Sequence, residues 1–560
     1  MADDDRSLSR LLLERWCKGK RSAHEVVDEA AAAIRGNRNS ADDLLRHLAS
    51  INKHNAHRDV ATVVRGLRSD SQPPLYYAEL PLWSTDLGRQ EQVLVPMALP
   101  HEWLDFFVAR DPSMLTMTAE VAEEVRLWKE RTRASETDQA IIPLSIWGDT
   151  APFGHKGHDS IMLCLWSSLS GAQKRRWVAL LPKTLMCQCG CSTLHTLDAL
   201  WDVLAWSFRA LAAGVYPTCD HRGRPFVGDD WRLAKAGQLM PYRGAVVMFR
   251  GDWPWLSTVF QVATHGSTHV CFLCGATTRS DECPFTDASL DAAWRGSLVS
   301  PVGWFEDRFR RGLYVSSVFS WPGFTLQNVV LDWMHMVDLG VAQACLGNIL
   351  VELFRSAAVG GLFTNPTQGL TRLQTMLNDC AVQLGTAVPF SKMTLSMIRG
   401  EDNRPRLKLK AAKTKALAPI VLKVLETHFP PASDREQRRF SCLEFLVLSY
   451  QELDGWSASS AARLEELCRR HVLLYTSLAR EAVSVEGVGD NWCSWRFYPK
   501  HHMLLHLTGE QIRRYGNPRL FWCYSDEGSI GIAVTLAEST HVRTLVQACW
   551  QKYLLFLHLE

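Results

Sequence analysis

Residues 326–341, LQNVVLDWMHMVDLGV, combine an acid and a histidine at a spacing that could serve chemistry. Asp332 stands three residues before His335, where an apolar strand-like segment passes into a helix-like run. If a helical turn starts there, both side chains lie near one face. An Asp at a helix start is equally an ordinary N-cap, and a histidine between methionines is commonly a core residue. The pair therefore gains meaning only together with the motifs before and after it.

Three further acids stand at element ends: Asp149 and Asp252 after apolar strand patterns, and Glu527 on or beside a late helix. Carboxylates at strand ends present oxygen ligands at one edge of a sheet, and Mg²⁺ takes oxygen ligands. Two such ions about 3.5–4 Å apart stabilise both the attacking and the leaving oxygen of a phosphoryl displacement. That chemistry depends mainly on positioning and electrostatics. Each acid alone is also typical of a turn or cap, so residue type does not single out these three.

Cysteines form two short groups. Cys271-x-x-Cys274 can hold one zinc ion from a tight turn, with His265, His269 or Cys283 as completing ligands. A single CxxC is half a site, and two core thiols are an equally good interpretation. The run CQCGC at 187–191 is a weaker signal of the same kind, because its glycine argues against a regular strand that would put the thiols on one face. Neither group has the companion motifs of a zinc-dependent base deaminase.

The most basic stretch is RPRLKLKAAKTK, at 404–415. Its cations could neutralise DNA phosphates, although a charge run is more often a solvated helix face. The candidate DNA-binding residues are Arg404, Arg406, Lys408, Lys410, Lys413 and Lys415. Further on, His502 and His506 fall on one helical face, where packing is a simpler explanation than metal binding.

Composition places the chain among globular proteins. It has 560 residues, of which 47% are hydrophobic and 21% charged, and a net charge of +2. That balance excludes a globally basic nucleic-acid coat, so a DNA partner needs a local basic surface. The N-terminal residues lack a secretory layout, and no apolar run appears long enough for a bilayer, which predicts no membrane association. The 16 scattered cysteines then favour reduced thiols and metal ligands in cytosol or nucleus.

Hydrophobic periodicity predicts the elements that position these residues. Short amphipathic helices are expected before residue 70, and strands over 141–153, 160–167, 177–181 and 244–249. The first three strands are expected to pair as an antiparallel meander that opens a mixed sheet. A helix is predicted over 194–213, only helices from 342 to about 490, and one closing helix over 530–558.

In order and spacing, these segments resemble the transposase of CACTA-type (En/Spm) DNA transposons, a DDE enzyme family with an RNase H-like core. The strand with Gly148-Asp149 is similar to the part of the family that carries its first acid. Asp252 and the Cys271-x-x-Cys274 pair resemble the second acid and its cysteine pair. The resemblance runs from about residue 144 to 533.

Later motifs extend the resemblance. The segment LDWMH, with Asp332 and His335, looks like the D-x-M-H motif of the family. His502-x-x-x-His506, the following GNP and W-x-Y-x-x-E are similar to its late segments, which places the third acid at Glu527. The run LKLKAAKTKALAPIV is similar to the segment before its core helices resume.

The resemblance implies an α/β fold: an RNase H-like mixed sheet flanked by helices, interrupted by a large all-helical insertion, with a mostly helical N-terminal region. The sequence pattern predicts a helical region at 1–70 and a lead-in of unclear role at 71–140. The resemblance implies the first part of the core at 141–341, the insertion at 342–490 and the last part of the core at 491–560.

The implied activity is metal-dependent DNA strand cleavage and strand transfer of a transposable element. Asp149, Asp252 and Glu527 would hold a pair of Mg²⁺ or Mn²⁺ ions, and Asp332, His335 and His506 would support the site. Zn²⁺ at Cys271 and Cys274 is a further candidate ion, which the CxxC spacing favours. The partners would be transposon ends and target DNA, with a homo-oligomer as the active form and the nucleus as its location.

Some features depart from the family pattern. No N-terminal DNA-binding module is recognisable, Thr150 stands where the family more often has a small residue or an acid, and Asp526 lies beside Glu527. A second hypothesis is therefore a catalytically inactive, transposase-derived DNA- or chromatin-binding protein. A third is an unrelated zinc-stabilised scaffold, in which the acids would lie far apart.

Overall fold

The computed structural model describes the chain in segments. They are residues 7–36, 42–67, 72–134, 137–154, 157, 159–228, 231–264, 266–279, 281–356, 365–400, 404–486 and 495–559. The chain divides into two compact units. The first comprises Met1–Phe249, Ser316–Phe324 and Tyr524–Glu560, and the second comprises Arg250–Val315 and Thr325–Cys523.

The first unit begins with four short helices whose apolar residues recur at helical spacing. They are α1 (Leu8–Cys17), α2 (Ala23–Gly36), α3 (Asp43–Ser50) and α4 (Ala56–Gly66). Their buried faces form one cluster that also takes in Leu555 and Leu559 near the C-terminus. A hairpin of β1 (Tyr76–Ser84) and β2 (Arg89–Met97) follows, with Tyr76 opposite Met97.

The main sheet of the first unit has the strand order β5-β4-β3-β6. Its strands are β3 (Ile141–Phe153), β4 (Asp159–Ser168), β5 (Arg176–Pro182) and β6 (Arg243–Arg250). The pairs β3–β4 and β4–β5 are antiparallel, which confirms the predicted meander. Almost every residue of β4 and β5 is buried, as continuous apolar runs require of strands covered on both faces.

Further helices belong to this unit. They are α5 (Pro100–Val108), α6 (Ala119–Thr132), α7 (Leu194–Ala213), α8 (Trp231–Lys235), α19 (Tyr524–Glu538) and α20 (Leu545–Leu559). The helix α19 packs on β3 and β4, and α20 packs on α1 and β5. The mixed α/β class is therefore as predicted, and so are α7 and the four strands.

The second unit is helical. Its helices are α9 (Trp253–Phe260), α10 (Pro301–Arg310), α11 (Ala342–Arg355), α12 (Pro366–Gln383), α13 (Leu395–Ile398), α14 (Ala411–His428), α15 (Asp434–Asp454), α16 (Ser460–Glu486), α17 (Pro499–His506) and α18 (Ile512–Tyr515). Two π-helical segments, Met334–Val341 and Leu507–Gln511, lead into α11 and α18. Such segments are frequently found at functional sites.

Four sequence expectations need correction. Asp149 lies inside β3, opposite Leu163, because pairing with β4 continues to Phe153. Residues 329–331 form no strand; a single 3-10 turn precedes them. The closing helix is two helices, since the chain turns at Ser539–Thr544.

The fourth correction concerns membranes. The continuous helical stretch Met334–Arg355 is long and apolar enough to cross a bilayer by length and composition. Of its most apolar window, 89% is buried inside the protein, as expected of a core helix.

Candidate metal centre and charged cavity

Two cysteines and two histidines of the second unit converge on one point. Cys271 and Cys274 lie in the loop after α9, and His502 and His506 lie one turn apart on α17. All four side chains are buried, and their ligand atoms lie within 4.8 Å of one another. We call this group the buried Cys/His cluster.

The spacing of its atoms suits a tetrahedral ion. Cys274 Sγ lies 3.3 Å from His502 Nε2 and 3.3 Å from His506 Nε2, and the two ring nitrogens are 3.1 Å apart. Zn–S and Zn–N bonds of about 2.3 and 2.0 Å place tetrahedral ligands roughly 3.3–3.8 Å from one another. These three donor atoms are thus within a few tenths of an ångström of their places in a Cys₂His₂ zinc site, and Cys271 Sγ lies within 4.8 Å of each of them.

Electrostatics in the cluster favour an anionic sulfur at Cys274. The hydrogen bond from Cys271 is the main cause that lowers the pKa of the Cys274 thiol to about 3, and His502 and His506 add to it against the effect of burial. Burial would lower the pKa of His506, but hydrogen bonds with Cys274 and Glu510 outweigh it and raise the pKa to about 9. Burial raises the pKa of Cys271. The cluster thus holds a thiolate at Cys274 beside an imidazolium at His506. Metal binding would displace the imidazolium proton.

Neighbouring side chains hold the ligands in place. Glu510 Oε2 accepts a hydrogen bond from His506 Nδ1 at 2.7 Å, which directs Nε2 at the cluster. The ring of Trp294 packs against both histidines, with centroid distances of 4.8 Å. Trp294 is itself fully buried, so water is kept from this side of the cluster.

The Asp332–His335 pair is built as a fixed unit. Asp332 Oδ2 lies 2.6 Å from His335 Nδ1 and accepts from His335 N at 2.9 Å. Asp332 Oδ1 accepts from the backbone N–H groups of Met334 at 3.2 Å and Cys523 at 2.8 Å. Because these donors use both oxygens, the carboxylate orients the imidazole and caps the π-helical segment at the same time.

A cavity of about 280 Å³ opens beside this pair. Its charged or titratable lining consists of Asp252, His335, Arg406, Tyr498 and Lys500. Asp252 caps α9 by accepting a hydrogen bond from Trp255 N at 2.7 Å. An acid, an imidazole and two cations therefore face one volume within the second unit.

Burial sets the charge states in the cavity. It raises the pKa of Asp252, against the opposing effects of the Trp255 hydrogen bond and of the nearby His335 and Lys500. It lowers the pKa of Lys500 to about 8, and the Arg406 charge adds to this. Lys500 Nζ donates to the His335 carbonyl at 2.8 Å, so the π-helical segment solvates the ammonium in place of water.

The other two predicted catalytic acids belong to the first unit. Asp149 and Glu527 are both half-buried, and the helix that carries Glu527 packs on the strand that carries Asp149. The neighbouring acid Asp526 has a different role: it is fully buried and binds the Arg175 guanidinium through both oxygens, at 2.9 and 3.1 Å. Asp526 is therefore held in a buried ion pair, whereas the adjacent Glu527 is half-buried.

Only the end of the basic stretch is helical. Residues 404–410 are not helical, and α14 begins at Ala411. Leu407 N donates to Gln343 O, while Arg406, Lys408 and Lys410 alternate outward and are exposed. A Cβ on Gly347 would stand 2.5 Å from Arg406 Cα, so glycine is required where this segment crosses α11. Lys415 instead pairs with Asp454 at 3.6 Å.

Sequence reasoning located half of the buried cluster. Of the completing ligands expected, His269 and Cys283 are not part of it, and His265 lies outside the described residues. His502 and His506, for which packing was favoured, take those places; the signal was their four-residue spacing. Lys500 was missed, because a lone lysine before the histidines has no distinguishing pattern.

No protein-family model matches this chain, and no curated protein matches it.

Proposed function

We propose that this chain is a DDE-type transposase that cleaves DNA strands and joins them in a metal-dependent reaction. Asp149, Asp252 and Glu527 would be the metal-binding acids for Mg²⁺ or Mn²⁺, and the ions would supply the electrostatic stabilisation of the phosphoryl displacement when bound. The core would be RNase H-like, with residues 342–490 as its helical insertion. The active form would be a homo-oligomer on DNA in the nucleus.

The observation that carries the proposal is the charged cavity. A phosphodiester is an anion whose displacement needs a positioned carboxylate for metal and cations for the phosphate oxygens. Asp252 supplies the first, and Lys500 and Arg406 supply the second. His335, held by Asp332 through Nδ1, would act through its Nε2 edge as a proton carrier or a contact for the phosphate.

The sheet gives independent support. The strand β3 carries Asp149 at its centre, and α19, which packs on it, carries Glu527 in its first turn. Asp149 and Glu527 are therefore two half-buried acids on elements that pack together. Asp526 is excluded from that role by its ion pair with Arg175.

The buried Cys/His cluster would bind zinc as a structural ion. It ties the loop after α9 to α17, the helix that also bears Lys500. All four of its protein ligands are present, which is the pattern of a structural site and leaves no position for substrate. Zinc would therefore hold Lys500 beside the cavity and would take no part in the reaction.

Exposed cations provide a surface for the DNA backbone. Arg406 lines the cavity, and Lys408, Lys410 and Lys413 lie on the surface beyond it in the sequence. Each phosphate contact adds a salt-dependent increment to affinity. This arrangement fits a DNA track that leads to the cavity.

A second candidate is a DNA-binding protein without catalysis. Asp252 already accepts the Trp255 hydrogen bond as a helix cap, and burial raises its pKa, so its carboxylate has a structural role independent of metal. The exposed lysines would bind DNA in either case.

Nicking of a supercoiled plasmid in Mg²⁺ or Mn²⁺ tests the two candidates. We expect metal-dependent nicking by the wild-type chain and a loss of roughly 100-fold in Asp149→Asn, Asp252→Asn and Glu527→Gln. Asp42→Asn is the matched control, because Asp42 caps α3 through the same bond, from Leu45 N at 2.6 Å. Asparagine caps a helix as aspartate does, so both variants keep their helix caps. The proposed catalytic role of Asp252 is then the difference between them.

Plasmid binding is measured in parallel by gel shift. Equal DNA binding by all variants, without metal-dependent nicking by the wild type, would overturn the transposase and favour the second candidate. Replacement of Lys408, Lys410 and Lys413 by neutral residues should weaken DNA binding and reduce its salt dependence, whichever candidate function is correct.

A further inference from the structure

A second group of metal-ligating side chains lies in the first unit, in the loop between β5 and α7. Cys187, Cys189, Cys191 and His195 bring three sulfurs and one ring nitrogen within 4.8 Å of one another. We call this group the loop Cys/His cluster. It shares no residue with the buried cluster or the charged cavity, so it is independent of the proposed function.

Three of its distances are close to those of a tetrahedral site. Cys187 Sγ lies 3.2 Å from Cys189 Sγ and 3.6 Å from His195 Nδ1, and Cys189 Sγ lies 3.3 Å from the same nitrogen. Ligands around tetrahedral zinc stand roughly 3.3–3.8 Å apart. Three thiols and one imidazole form a Cys₃His set, which is one of the ligand sets of structural zinc.

The backbone is folded to bring these groups together. The alternate cysteines would all point to one side only on a straight strand, but Gly190, Ser192 and Thr193 adopt left-handed conformations with φ of 95°, 53° and 69°. Such values are uncommon for residues other than glycine. They turn the short loop back, so that His195, in the first turn of α7, meets the cysteines.

Hydrogen bonds anchor the loop at its base. Cys187 N donates to Thr196 Oγ1 at 2.9 Å, and that hydroxyl donates to Pro81 O of β1 at 2.6 Å. Gln90 Nε2 lies 2.8 Å from Cys187 Sγ and 3.0 Å from His195 Nδ1. The Gln90 amide N–H groups point at both atoms, so both atoms act as hydrogen-bond acceptors. The lone pairs that accept these hydrogen bonds are the ones that would bind a cation.

A third group of cysteine and histidine side chains lacks two features that the loop cluster has. Cys345, Cys442 and His471 are close and buried in the second unit, but they offer only three donors. His471 Nδ1 is bonded to the Cys442 carbonyl at 2.7 Å, as in a satisfied core histidine. The loop cluster has four donors, and Cys189 is exposed, which leaves an entry path for an ion.

We propose that Cys187, Cys189, Cys191 and His195 bind one Zn²⁺ ion that fastens the β5–α7 loop to the first turn of α7. The ion lies near the surface and exchanges with solvent, whereas zinc in the buried cluster does not. Binding releases the thiol protons to solvent and changes no oxidation state.

Zinc content of the purified full chain tests the proposal. We expect about one equivalent less zinc in Cys187→Ser/Cys189→Ser/Cys191→Ser than in the wild type, as a single site requires. Cys219→Ser is the matched control, since Cys219 lies in the same unit outside the cluster. Equal zinc in the triple variant and the wild type would overturn the proposal.

A second measurement does not depend on folding of a variant. Mass spectrometry of the wild type after brief treatment with iodoacetamide should show Cys189 protected by zinc and labelled after mild chelation. In a Co²⁺-loaded sample, chelation should also remove sulfur-to-cobalt absorption in proportion. Equal labelling of Cys189 with and without zinc, or a disulfide among these cysteines in freshly reduced protein, would contradict the site.

Discussion

The two Cys/His clusters reach similar geometry by opposite routes. In the buried cluster, the cysteines and histidines are separated by 228 residues or more, as between Cys274 and His502, and every side chain is buried. In the loop cluster, Cys187 and His195 are eight residues apart and Cys189 is exposed. An ion in the first joins distant segments of a unit, whereas an ion in the second fastens only one loop. The comparison predicts large global effects for one and small local effects for the other.

Removal of a buried ligand should have the largest effect. In Cys274→Ser we expect the second unit to lose cooperative folding, because the binding energy of structural zinc, about 10–16 kcal/mol in small zinc domains, is folding energy. Circular dichroism on heating measures this. Cys283→Ser is the control, since Cys283 lies nearby but outside the cluster. If Cys274→Ser unfolds with the same thermal transition as the wild type, the buried cluster has no larger effect on stability than the loop cluster.

The pH dependence of stability should report on Lys500, which α17 carries beside the buried cluster. Its pKa falls from 10.5 to about 8 on folding, so between these values the unfolded chain binds more protons than the native one. Stability should therefore rise with pH over this window, by up to about 3 kcal/mol at ~1.4 kcal/mol per pKa unit. Urea unfolding at pH 8 and pH 10 measures it.

Lys500→Met should lose that rise, while the exposed Lys413→Met should keep it. DNA binding should show the opposite trend in the wild type, since loss of the Lys500 charge above pH 8 removes a cation from the cavity. If stability changes with pH equally in the wild type and in Lys500→Met, Lys500 is not the cause of the rise.

Residues that orient the ligands should have intermediate effects. Glu510→Gln removes the carboxylate that holds His506 Nδ1, and we expect a 10- to 100-fold loss of zinc affinity, about 1.4–2.7 kcal/mol. Competition with a chromophoric chelator measures the affinity. Gln90→Ala at the loop cluster should cost less, because Gln90 contacts its ligands near the surface. A larger loss in Gln90→Ala would reverse the ranking.

The smallest effect on global stability should come from the loop cluster itself. His195→Gln should lower the unfolding free energy by about 1 kcal/mol, since freeing a short loop returns little chain entropy. Denaturant unfolding measures the change. A loss comparable with that of Cys274→Ser would show that the loop ion supports the whole first unit.

The same contrast explains what the sequence could predict. The strands 141–153, 160–167, 177–181 and 244–249 were found because apolar runs report local burial. Cys271 and Cys274 were found because their spacing is local. His502 and His506 lie on another element, and no local pattern joins them to the cysteines. Asp149 inside β3, the π-helical segments and the division of the last helix depend on long-range pairing and packing, which periodicity does not register.

The most direct test of the account is joining of oligonucleotides with 3′-hydroxyl ends to a plasmid in Mn²⁺, with the wild-type chain, Asp252→Asn and Asp42→Asn compared side by side. We predict metal-dependent joined products from the wild type and Asp42→Asn and none from Asp252→Asn. Equal products from Asp252→Asn, or none from a folded, DNA-bound wild-type chain, would contradict the assignment of the charged cavity as a catalytic site.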